Sequence, residues 1–113
     1  MMEMIIVVQV KENEKKDLMK KLIDTFEYEG HAYLYLKNTN EILLAQKNGF
    51  VSFEYNESFY KDPKSGEEYG EMVITLLSTR KQLPLLVQEV IRELMYLGLH
   101  DNVTAYYINR KIE

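Results

Sequence analysis

Residues 83–97, LPLLVQEVIRELMYL, decide how this chain folds, and Gly98 stands directly behind them. Leu83, Leu86, Val87, Val90, Ile91, Leu94 and Leu97 recur at three- and four-residue steps, which stacks them into one apolar stripe on an α-helix. Gln88, Glu89, Arg92 and Glu93 take the opposite side. Pro84 fits the first turn, where its missing N–H has no intrahelical partner to lose, and Gly98 supplies the left-handed residue that ends the helix. Burying seven such side chains is worth roughly 10 to 20 kcal/mol before chain entropy is subtracted, so the remaining sequence must provide a surface to cover them. A sheet is the expected surface.

Working outward, residues 4–10 read as a strand of nearly continuous hydrophobicity, fitting a central place in that sheet. A helix over residues 14–29 follows, with Asn13 as its expected cap and Leu18, Met19, Leu22, Ile23 and Phe26 as its apolar stripe. Lys15, Lys16, Lys20 and Lys21 lie on or beside its wet face and read as a solvated surface. Gly30 ends it as Gly98 ends the other. Three strands, over residues 31–37, 41–47 and 50–56, then form an antiparallel meander whose second turn carries Asn48-Gly49, a dipeptide suited to the positive φ values of a type I′ turn. In the first of these strands Ala32, Leu34 and Leu36 are expected to face the core and Tyr33, Tyr35 and Lys37 the other side; in the third, Val51, Phe53 and Tyr55 oppose Ser52, Glu54 and Asn56.

Residues 57–70, ESFYKDPKSGEEYG, combine Pro63, Gly66 and Gly70 with dense charge and are expected to form a long exposed loop or an extended hairpin tip. A strand over 71–78 precedes the long helix and one over 102–109 closes the chain. Displacing the chain against itself by 68 positions lays Met4 on Met72, Ile6 on Ile74, Ile23 on Ile91 and Gly30 on Gly98, so two strand-helix-strand units bracket the meander. The order β-α-β-β-β-β-α-β predicts an α+β domain spanning residues 1–113, with both helices on one face of a mostly antiparallel sheet. The layout matches a ferredoxin-like sandwich with an extra hairpin, or that of TATA-binding-protein-like domains with an added strand.

Composition narrows the function classes. The 113 residues contain no cysteine, which removes disulfides, thiolate metal sites and thiol nucleophiles and fits a cytoplasmic protein. A formal net charge of −4 and a pI near 5.3 disfavour nucleic acid, whose binding draws on a basic footprint. The apolar runs are too short for a membrane span. No HxH or HExxH spacing, nucleotide-binding glycine motif or GxSxG elbow is present, so neither a cofactor nor a metal is expected and an enzyme is disfavoured.

The sheet face left bare by the helices therefore decides what the protein does. Tyr33, Tyr35, Lys37, Lys47, Thr75 and one of Tyr106 and Tyr107 are expected to line it, with Tyr55 another candidate contact; tyrosine suits surfaces that are half dry and half wet. The leading expectation is a self-associating interaction or assembly domain, a homo-oligomer or else the partner of another protein, with Phe59 and Tyr60 of the 57–70 segment as further contacts. The second is a small-ligand or regulatory module with His31 and His100, each following a helix-ending glycine, drawn together at the two helix ends.

Overall fold

A computed structural model describes residues 1–109, apart from the side chains at positions 57–59 and 109. The chain runs β1 (Met2–Lys11), α1 (Lys15–Tyr28), β2 (Tyr33–Leu36), β3 (Glu41–Gln46), β4 (Gly49–Lys61), β5 (Glu68–Ser78), α2 (Leu83–Tyr96) and β6 (Val103–Asn109). All six strands join one antiparallel sheet in the order β2-β3-β4-β5-β1-β6. Both helices cover the same face, as the hydrophobic pattern predicts. Setting β2 and β3 aside leaves β4-β5-β1-β6 with a helix after β1 and another after β5, which is the ferredoxin-like arrangement with an extra hairpin at one edge.

Strand alternation builds the core. Met4, Ile6, Val8 and Val10 of β1, Met72, Ile74 and Leu76 of β5, and Val51, Phe53 and Tyr55 of β4 are buried on the helix side. Leu18, Met19, Leu22 and Phe26 of α1 and Leu83, Leu86, Val90 and Leu94 of α2 close over them. Phe26 meets Phe53 at 5.5 Å between ring centroids, in the range where tilted aromatic pairs attract. Both helices terminate alike. The His31 N–H donates to the Phe26 carbonyl at 2.9 Å and the Leu99 N–H to that of Leu94 at 2.8 Å, with Gly30 and Gly98 both at φ +73°.

The internal similarity extends through strand and helix and then stops. Ile6 pairs directly with Ile74, so β1 and β5 sit back to back about that pair. The exit strand of the second unit, β6, lies beside β1, but the matching place beside β5 is held by β4, while β2 stands at the far edge.

Several local expectations change. Asn13 is no cap: one 3-10 turn, Glu12–Glu14, leads into α1, which has no side-chain cap. The β3–β4 turn is centred on Lys47 and Asn48, and the sole non-glycine with positive φ among the described residues is Asn40. Gly49 is instead the first residue of β4, at φ +148°, where an added Cβ would stand 2.2 Å from the Leu77 carbonyl oxygen. The stretch 57–70 is the hairpin tip and not a long loop. β4 and β5 continue to Lys61 and from Glu68, with Tyr60 opposite Tyr69 and Lys61 opposite Glu68. The turn between them is tied by Asp62, whose carboxylate accepts from the Ser65 hydroxyl at 2.7 Å, a bond that holds its pKa below the usual carboxylate range.

Candidate functional site

The two faces of the sheet are unequal. On the side away from the helices, cross-strand register places Leu34, Leu43, Ser52, Thr75, Ile5 and Tyr107 in one row across all six strands. Beside it run Ala45, Phe50 and Leu77 in one direction and Val73, Val7 and Ala105 in the other. Leu34 and Phe50 are each 56% exposed, Tyr107 49% and Leu43 38%. A shallow concavity of about 450 Å³ opens in this face between Leu34, Leu43, Phe50 and Leu77. Glu3, Glu41, Glu54 and Glu71 share the same side, so its charged members are mainly acidic.

The tyrosines go elsewhere. Tyr33 pairs with Leu44 and Tyr35 with Ile42, which puts both on the helix side and turns Leu34 and Leu36 outward, the reverse of the expected facing. Strand β2 is an edge that α1 only partly covers, so an amphipathic residue fits under the helix with its hydroxyl at the rim, and the Tyr33 hydroxyl donates to Glu27 of α1 at 2.5 Å. That bond raises the Tyr33 pKa. Tyr55 is buried within the core and is no surface contact. Of the last pair, Tyr107 joins the bare face while Tyr106 stands on the helix side of β6, 71% exposed, because α2 packs chiefly on β5 and leaves the edge strand open. Tyr60 packs 6.1 Å from Tyr69 at the hairpin end. The Phe59 side chain lies outside the described residues. Lys37 and Lys47 are exposed in turns, and Thr75 is on the bare face as expected.

His31 and His100 do not meet. Each precedes an exit strand, and those strands are the two opposite edges of the sheet. His31 bonds the Glu29 carboxylate at 2.8 Å, and His100 lies 3.7 Å from Asp101. Among the described residues no three His, Asp or Glu side chains gather as metal ligands. Near His31, Glu93 of α2 faces Glu29 of α1 across the helix ends. Burial and then the hydrogen bond to Glu29 push the Glu93 carboxyl up to about 7.

A second concavity, about 560 Å³, lies on the helix side between the start of α1 and strands β2 and β4. Met19 and Ile23 form its apolar wall, and Lys15, Lys16 and Lys20 stand around it. Tyr55, only 6% exposed, lines it with a hydroxyl that has no hydrogen-bond partner. Burial raises the pKa of that hydroxyl, so it stays protonated and able to donate. Glu12 Oε2 is likewise buried without a partner, while its other carboxylate oxygen takes Lys15 Nζ at 3.4 Å. The lysines were legible in the sequence as a charged helix face. Nothing in it signalled that three of the four would border a cavity holding two orphaned polar atoms.

No helix among the described residues is long and apolar enough to cross a membrane. Comparison with known protein families, curated proteins and solved structures yields no match.

Proposed function

We propose that this protein is a self-associating assembly domain in which the bare sheet face of one copy closes on that of a second. The observation that carries this reading is the row Leu34, Leu43, Ser52, Thr75, Ile5 and Tyr107, which crosses the whole sheet with no helix over it among the described residues. Six strands spaced about 4.8 Å apart make a face about 29 Å wide, and about 20 Å of its length carries these residues. Closing two such faces removes on the order of 1,200 Å² from water, enough for a specific interface. Sheets pack in this manner in sandwiches, with side chains interleaved.

A second copy suits the face better than the alternatives. Its glutamates repel phosphate, which argues against nucleic acid. An isologous dimer requires only one self-complementary patch, and here the row joins Leu34, Leu43 and Ile5 to Ser52, Thr75 and a single tyrosine, Tyr107, where more tyrosines were expected. Because the acidic margins of the two copies approach each other, association strengthens with added salt. The absence of cysteine fits a reducing interior, and we assign the protein to the cytoplasm on that ground.

Native mass spectrometry and sedimentation of wild type and of Leu43→Lys test the proposal. Wild type forms a dimer at micromolar concentration, whereas Leu43→Lys is a folded monomer. Tyr35→Glu, on the opposite side of the sheet, leaves the dimer intact. A dimer that survives Leu43→Lys, or a monomeric wild type, refutes association through this face. Survival would redirect attention to the open edge of β6.

A further inference from the structure

We infer that the concavity between α1 and strands β2 and β4 is a binding site for a small hydroxylated organic phosphate. Two residues that line it, Tyr55 and Glu12, each carry a buried polar atom without a hydrogen-bond partner, which is costly to leave unsatisfied in a folded protein. Tyr55 presents an unused donor, and Glu12 Oε2 an unused acceptor. A ligand that satisfies both must therefore carry acceptor and donor together, as a hydroxylated phosphoester does.

Charge assigns the phosphate. The chain is acidic, yet three ammonium groups, Lys15, Lys16 and Lys20, border this cavity against the single carboxylate of Glu12. An i, i+1, i+5 spacing on α1 spreads them along its mouth, so that a dianion is attracted by more than one of them. The side-chain amides of Asn13 and Asn40 offer further donors at the rim. Asn40 is held there by its positive φ of 51° and by its carbonyl, which accepts the Tyr55 N–H at 3.2 Å. Met19 and Ile23 provide contact for a short carbon skeleton, and the Glu12 oxygen accepts its hydroxyl hydrogen.

The site is on the helix side, so it stands independently of association through the opposite face. Isothermal titration of the full chain with glycerol 3-phosphate, inorganic phosphate, glycerate and glycerol tests it. Glycerol 3-phosphate is expected to bind saturably, one per chain, and about tenfold more tightly than inorganic phosphate, since its carbon skeleton and hydroxyls add contacts with Met19, Ile23 and the orphaned atoms to those of the phosphate. Tyr55→Phe and Glu12→Ala each abolish that advantage, whereas Lys15→Ala with Lys20→Ala weakens both phosphates. Glycerate binding as tightly as glycerol 3-phosphate would make the site one for hydroxylated carboxylates and overturn the phosphate assignment. Absence of saturable binding by any probe, or an unchanged preference in Tyr55→Phe, would overturn the site itself. Tyr55→Phe retains the buried ring, and its thermal melt verifies that a loss of binding is not a loss of fold.

Discussion

Phe50 and Phe53 lie three residues apart on the same strand and meet opposite fates. Phe53 is 1% exposed beneath both helices, and Phe50 is 56% exposed on the uncovered face. Both residues are phenylalanine, so the difference is not one of side-chain hydrophobicity. It is one of cover: among the described residues both helices lie on one side of the sheet and no element lies over the other. One face is therefore a core, and the other is left open as the face on which the proposed association rests.

The contrast is broken most severely at Phe53. Phe53→Ala should cost about 3 to 5 kcal/mol and expose the Phe26 ring, while Phe50→Lys should change monomer stability by no more than about 0.5 kcal/mol and remove association; urea denaturation with sedimentation reads both. Next comes Gly49, where the two faces join at the strand entrance. Gly49→Ala should destabilise by about 2 kcal/mol or more, because its Cβ would stand 2.2 Å from the Leu77 carbonyl oxygen, and a melting curve checks this. Tyr55→Phe should act in the opposite sense. By removing a buried hydroxyl without a partner it should stabilise the protein by about 1 kcal/mol, in contrast to the loss at Phe53.

The smallest expected effect concerns the helix ends. The Glu93 carboxyl sits at about 7 in the folded protein against 4.5 when unfolded, so between these values the native state holds a proton that the unfolded chain has released. Its contribution is present in full below about pH 4.5 and is lost as pH rises through 7. Denaturation across that window should show stability falling by about 1 kcal/mol, after allowance for solvent screening, and Glu93→Gln should flatten the slope.

Sequence periodicity made the architecture legible: two helices of 3.6-residue period, glycine terminators at 30 and 98, and alternating strands led directly to a sheet with one helical layer. It failed where alternation is symmetric. In Tyr33-Leu34-Tyr35-Leu36 either parity can be buried, and only the pairing of Tyr33 with Leu44 and Tyr35 with Ile42 decides which is. The same limit hid the candidate contacts, since tyrosines marked a rim under α1 and aliphatic residues marked the open face. Strand extent was underestimated at 57–61 and 68–70 because charge and glycine suggest turns, whereas an antiparallel hairpin tolerates both when its cross-strand pairs are Tyr60 with Tyr69 and Lys61 with Glu68. The strand order was beyond sequence reasoning, and with it the separation of His31 from His100.

Methyl NMR over a dilution series tests the central claim most directly. On concentration, the methyl signals of Leu34, Leu43, Leu77 and Ile5 should shift and broaden together, while those of Leu22, Leu86 and Ile42 beneath the helices stay fixed. Signals that are independent of concentration, or changes confined to Ile108 on the β6 edge, would contradict an interface built on the bare face of the sheet.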